Sequence, residues 1–198
     1  MRAGWCAAAR NAPRIARLAE SAGAAMLVVH GRTREQGYGG EAEYDTLAEV
    51  KRSVSIPVVA NGDIDSPQKA AAVLAATGAD AVMIGRAALG RPWLFGQVAR
   101  HLRDGALVPD PAPAQWRDWL FAHLDDHYAL YGESVGVRTA RKHVGWYVAQ
   151  LEGGVAFRAR FNTLQSAAQQ LEVLRVFLSD PFPSDSLAEP AWALAPAA

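Results

Sequence analysis

The chain has 198 residues, half of them apolar and a fifth charged, so it is long and apolar enough to bury a core and too apolar for a disordered segment. Twenty basic residues balance twenty acidic ones, which excludes a general attraction to polyanions and confines any nucleic-acid surface to a local patch. A single cysteine, Cys6, rules out an internal disulfide and fits a reducing compartment; with no membrane-length apolar run and no secretory leader pattern, the sequence predicts a cytoplasmic protein without membrane attachment.

Met1–Trp5 reads as the end of a strand running into a loop. Pro13–Ser21 predicts a helix, with Ile15, Leu18 and Ala19 at helical spacing, Arg14 and Arg17 outward and Gly23 closing it. A strand near 25–30 ends in His30-Gly31-Arg32-Thr33. Residues 34–43 form a polar, glycine-rich loop, and Tyr44–Ser53 a helix with Leu47 and Val50 inward. A second strand near 56–61 closes in Asn61-Gly62-Asp63. Ser66 then caps a helix with Pro67 at its first position and Gly78 at its end. A third strand near 81–85 closes in Gly85-Arg86. The last two strands are apolar on consecutive residues, which predicts a parallel sheet covered on both faces, and a helical crossover between them makes a βαβ unit.

Regular βα alternation builds either a (β/α)8 barrel or a doubly wound sheet, and in both the site lies at the carboxyl ends of the strands. His30, Asn61, Asp63, Gly85 and Arg86 all fall there. Backbone N–H groups at Gly62 and Gly85 and the Arg86 guanidinium suit a phosphate. Asn-Gly-Asp alone is equally a turn, and a lone histidine at a strand end is more often a satisfied side chain than a catalyst. Three strands and a stub do not close a barrel, so the fold is either another one or the C-terminal half of a longer barrel.

Residues 104–113, DGALVPDPAP, read as a linker, and the pattern beyond is helical only. Trp116, Leu120, Leu124 and Tyr128 make one apolar face. Val137, Ala140, Val144, Val148 and Leu151 make a second; Phe157, Phe161, Leu164, Ala168, Leu171 and Leu178 a third. Arg138, Arg141 and Lys142 share one helical face, which without further context is a solvated face. Trp146 and Tyr147 read as core. No His, Cys or carboxylate cluster has metal-ligand spacing, so no metal is expected. Residues 181–198, with four prolines and many alanines, predict a disordered tail.

Four stretches, VVHGRT, IPVVANGDI, TGADAVMIGRAALGRPWLF and RKHVGWY, together resemble the flavin-dependent tRNA-dihydrouridine synthases, closest to the bacterial B-type enzymes. The resemblance runs from Met1 to about Asp180. It implies an FMN-binding (β/α)8 barrel followed by a helical tRNA-binding domain, and NADPH-driven reduction of a tRNA uridine to 5,6-dihydrouridine. The expected architecture is the C-terminal half of a TIM barrel over 1–103, a linker over 104–113, the helical domain over 114–180 and the tail. On that resemblance Asn61, Gly62, Asp63, Gly85 and Arg86 correspond to FMN contacts, His30 to a histidine near the flavin ring, and Arg2 to the arginine of a Lys-x-Arg-x-Gly-Trp motif. Arg138, Arg141, Lys142, Arg158 and Arg160 correspond to a tRNA-facing patch. The resemblance also implies that this sequence starts inside the strand-five motif. The family's flavin-facing lysine and catalytic cysteine then precede Met1, no catalytic residue is present, and the truncated chain is inactive alone. Two other readings stay open: another FMN-dependent TIM-barrel oxidoreductase acting on a small molecule, and a non-enzymatic tRNA-binding remnant. No protein partner is implied.

Overall fold

A computed structural model of the chain describes residues 1–179. The expected tail at 181–198 lies outside the described residues. Among the described residues two compact units emerge: residues 1–88 with 92–109, and residues 89–91 with 110–179.

The first unit is α/β. Its elements are α1 (Ala12–Ser21), β1 (Leu27–His30), α2 (Asp45–Ser53), β2 (Val58–Asn61), α3 (Pro67–Thr77), β3 (Ala81–Met83), a short 3-10 turn at Arg86–Ala88 and α4 (Leu94–Asp104). The three strands form one parallel sheet in the order β1-β2-β3, in a register that sets His30 beside Asn61 and Asn61 beside Met83. The Met1–Trp5 stub behaves as the sequence predicts: Arg2 pairs in parallel with His30, and the His30 N–H donates to the Met1 carbonyl at 2.9 Å. Each helix packs on the next, α1 on α2, α2 on α3 and α3 on α4. The core lies between helices and sheet and includes Leu47, Val50, Val58, Ala60, Val73 and Leu94.

Local chemistry sets both ends of α3. The Ser66 hydroxyl accepts from the Lys69 N–H at 3.2 Å, Pro67 opens α3 and Gly78 closes it, as predicted. Two expectations are corrected. All three strands are shorter than predicted, and only β2, the central strand, is apolar and buried on consecutive residues. In β3 Ala81 and Met83 are exposed while Val82 is half-buried, because β3 is an outer strand covered on one face. On α1 the buried positions are Ala12 and Ala16, whereas Ile15 and Leu18 are exposed. The small alanines allow close packing of α1, and the larger apolar residues of the predicted face turn outward.

Among the described residues the second unit holds helices only: α5 (Pro113–Val148), α6 (Gly154–Phe161) and α7 (Ala167–Phe177). The predicted third face is divided between two helices: Ser166 caps α7 by accepting from Gln169 N–H, and Ala168 is exposed while Gln170 is buried in its stead. Helix α5 breaks at Gly132, which has φ 70° and ψ 172°. Its two limbs, residues 113–131 and 133–148, then run back alongside each other: Trp116 stacks on Tyr147, His127 bonds Thr139, and Gly136 sits against Tyr128. The buried residues here include Leu120, Leu124, Val137, Val144, Phe161 and Leu174. Gln170 is satisfied inside this core, donating to the Val137 carbonyl and accepting from the Tyr128 hydroxyl. None of the described helices is long and apolar enough to cross a membrane.

Candidate functional site

The parallel register brings the carboxyl ends of β1, β2 and β3 side by side, and the loops that follow them carry most of the predicted site. Asn61 ends β2, and its Nδ2 donates to the Met83 carbonyl at 2.7 Å, tying the second strand end to the third. Gly62 follows with φ 129°, and a Cβ there would lie 2.7 Å from the Ala42 Cβ and 3.1 Å from His30 Cδ2. Both backbone conformation and space therefore require glycine. Around Gly85, by contrast, a Cβ would meet nothing within 4 Å, so the backbone there faces open space.

Asp63 is the hub of these loops. It is a non-glycine residue at φ 47°, and its carboxylate accepts two bonds from the Arg32 guanidinium, at 2.7 and 2.8 Å, and one from the Ala42 N–H at 2.8 Å. Arg86 approaches the same carboxylate at 3.5 Å, and its guanidinium lies 4.8 Å from the Tyr38 ring centroid. Burial pushes the Asp63 carboxyl up, but the bonds from Arg32 and Ala42 and the charges of Arg32 and Arg86 outweigh it, so the group sits below its ordinary range. Arg86 is half-exposed, leaving guanidinium edges available. Tyr44 donates its hydroxyl to the Gly62 carbonyl, and burial pushes that phenol up to about 12.

His30 is half-buried beside this hub. Burial first, then the positive charges of Arg2 and Arg32, holds its imidazole below the ordinary value, which favours the neutral ring. Arg2 donates from Nη1 to the carbonyls of Thr33 and Gly37, at 2.8 and 2.9 Å, and so pins the loop after β1. Two residues of the cluster were not foreseen. Arg32 is almost fully buried and also donates to the carbonyls of Gly39 and Gly40. Tyr38, which carries the Arg86 guanidinium, lies in the loop predicted only as polar and glycine-rich. Together the residues make a rim of positive charge and strand-end backbone, organised by one carboxylate and suited to an anion.

In the second unit Arg138, Lys142, Arg158 and Arg160 are exposed. Lys142 lies over the Trp146 ring at 4.9 Å, and Arg158 packs across Gly145. Arg141 is half-buried and donates to the Leu164 carbonyl at 3.0 Å, so part of its guanidinium is used within the fold. Tyr147 is buried as predicted; Trp146 is half-buried. Sequence spacing showed no metal-ligand cluster, yet the fold brings three histidines together. His123, His127 and His143 come together, with one ligating atom from each lying within 4.8 Å of the others. Two of them share one limb of α5 and the third stands on the other, so the cluster exists only once the helix has doubled back.

Comparison with known proteins adds an independent finding. The profile described as dihydrouridine synthase (Dus) matches residues 1–181. A tRNA-dihydrouridine synthase B of Xanthomonas campestris pv. campestris is 55% identical over 175 residues, covering 88% of this chain and 53% of the relative. Relatives of the same name from Pseudomonas aeruginosa and Escherichia coli are 51% and 47% identical, each over 91% of this chain and 54% and 56% of their own lengths. The chain thus spans about half the length of the curated relatives it matches.

Proposed function

The chain belongs to the dihydrouridine synthase family, and from that premise we propose that its protein reduces uridine in tRNA to 5,6-dihydrouridine, with FMN as bound cofactor and NADPH as reductant. The observation that carries this reading is the 47–55% identity, over about nine-tenths of this chain, to relatives named for that product. In this reading the α/β unit is the later part of a (β/α)8 barrel and the helical unit is the tRNA-binding domain.

The strand-end cluster fits a flavin phosphate in its donor set. Arg86 is a half-exposed cation, and the open space beside Gly85 lets a ligand approach the backbone closely. FMN, when bound, supplies hydride transfer to the pyrimidine. The chain's own residues do the holding. Arg86 neutralises the phosphate, aimed by Asp63 and Tyr38. Asp63 is a positioning residue, since Arg32 and Ala42 occupy its oxygens. Asn61, Gly62 and Gly85 set the strand ends beside the cofactor, and neutral His30 offers a ring nitrogen without adding charge. Arg2 holds the loop that carries Tyr38 in place. Arg138, Lys142, Arg158 and Arg160 meet RNA phosphates, with Arg141 contributing what its bond to Leu164 leaves free.

Disrupting the gene in its own host tests this reading. Nucleoside mass spectrometry of bulk and position-resolved tRNA is expected to show dihydrouridine lost from a defined subset of positions and restored when the gene is returned. Dihydrouridine unchanged at every position would overturn the reading, and is the result that a small-molecule flavin oxidoreductase would give.

A further inference from the structure

The flavin and tRNA reading assigns no role to the three histidines of the helical unit, although His143 lies in the RKHVGWY stretch. They are three of only five in the chain, and the hairpin of α5 gathers them at one place. His123 and His127 stand one turn apart on the first limb, and His143 faces them from the second; ring centroids lie 5.0 Å apart for His123 and His143 and 5.1 Å for His127 and His143. Such close approach of three imidazoles is unfavourable if they are charged.

The surroundings are those of a metal ligand set. The Thr139 hydroxyl donates to the Val135 carbonyl at 2.8 Å, one helical turn back, and its oxygen lies 2.7 Å from Nε2 of His127. That contact restrains the His127 ring, as an outer-shell partner does in histidine metal sites. Tyr131 packs on His127 and Trp146 on His143, shielding part of the cluster from water. A tetrahedral zinc ion with Zn–N bonds of about 2.0–2.1 Å needs nitrogens about 3.3 Å apart. The present spacing, within 4.8 Å, is wider than that, so an ion bound here requires the half-exposed His123 and His143 rings to turn inward.

We infer that His123, His127 and His143 form a tris-imidazole site for a divalent first-row transition metal, zinc by preference, which bridges the two limbs of α5 across the Gly132 turn. Neutral imidazole nitrogens favour zinc, nickel or copper over magnesium or calcium, and three protein nitrogens leave a fourth position for water. The ion's role is structural: bound only by the folded hairpin, it stabilises that hairpin.

The test uses the 198-residue chain without an affinity tag, stripped with a chelator and titrated with zinc chloride against a chromogenic competitor. One zinc per chain is expected. His123→Gln and His143→Gln should each lower affinity by more than the roughly 10–100-fold that loss of an outer-shell partner costs. His101→Gln should leave it unchanged. Zinc should raise the thermal unfolding midpoint of the parent and of His101→Gln but not of the two site variants. Cobalt should give the visible d–d bands of a four-coordinate nitrogen site, without the thiolate charge-transfer band that Cys6 would add. Both substituted rings are half-exposed, and far-UV circular dichroism checks that each variant keeps parental helicity; cobalt bands in the parent are a second readout that needs no variant. Failure of the parent to bind zinc, or binding that survives both His123→Gln and His143→Gln, would overturn the inference. Neither result touches the gene-disruption test.

Discussion

Arg32 is a buried guanidinium whose charge is answered chiefly by Asp63. Because the Asp63 carboxyl lies below its ordinary value when folded, it adds stability that is fully present above the unfolded value of about 4 and is lost as pH falls through the folded value. Asp63→Asn keeps a side chain that tolerates positive φ and removes only the charge. It should destabilise the first unit at pH 7 by roughly 1.5–3 kcal/mol, the range for hydrogen bonds to charged groups. That is below the roughly 3–5 kcal/mol for breaking a fully buried pair, because the Gly39 and Gly40 carbonyls still hold Arg32. Urea titrations at pH 7 and pH 3 check the sign: the gap between parent and variant should narrow at the lower pH, and a gap of equal size at both would place the loss elsewhere. His30, Asn61, Gly85 and Arg86 were legible in the sequence because a strand-end position follows from βα alternation. Arg32 was not: whether an arginine two residues past a strand turns inward depends on a carboxylate from the next loop, 31 residues on.

Helix boundaries were legible wherever one residue sets them, as at Ser66, Pro67 and Gly78. The break in α5 is set by one residue too, yet apolar spacing continues on both sides of it, so periodicity alone does not reveal that the limbs double back. The same gap hid the histidine cluster, since its third member is brought in by the turn. Gly132 therefore carries an element-scale prediction. Its φ of 70° and ψ of 172° fall in a region open essentially to glycine alone. A Cβ there would meet no atom within 4 Å, so any penalty for Gly132→Ala is conformational and not steric crowding by neighbours. The expected loss is on the order of 1–3 kcal/mol, read by chemical denaturation followed at 222 nm. A variant as stable as the parent would mean that the limbs tolerate a continuous helix at this point. For β3 the sequence misled for a different reason: a consecutive apolar run looks the same in a central strand and an outer one, and only the strand order tells them apart.

Formal neutrality hides how charge is distributed over the whole chain. The two units carry different cations with different surroundings, and the proposed function assigns them different anions. Arg86 sits at the strand ends, half-exposed and steadied by Asp63 and Tyr38. Arg138 and Arg160 belong to the helical unit and are exposed. Arg141 is a poorer probe of RNA contact, because its removal also breaks the bond to Leu164. The division of labour is therefore tested with Arg86→Ala against the pair Arg138→Ala and Arg160→Ala, measuring flavin and tRNA affinity for each. Arg86→Ala should weaken FMN by roughly 1.5–3 kcal/mol, about ten- to a hundredfold in dissociation constant, and leave tRNA binding nearly unchanged. The helical-unit variants should leave flavin bound and weaken tRNA. The slope of log affinity against log salt should also fall by roughly 0.7–0.9 for each phosphate contact removed. The salt slope separates lost contacts from lost structure, because a variant that merely loosens the helical unit weakens binding without a contact-sized step in slope. If Arg86→Ala spares flavin, the phosphate lies elsewhere; if the helical-unit variants release flavin or spare tRNA, the assignment of RNA to that unit fails.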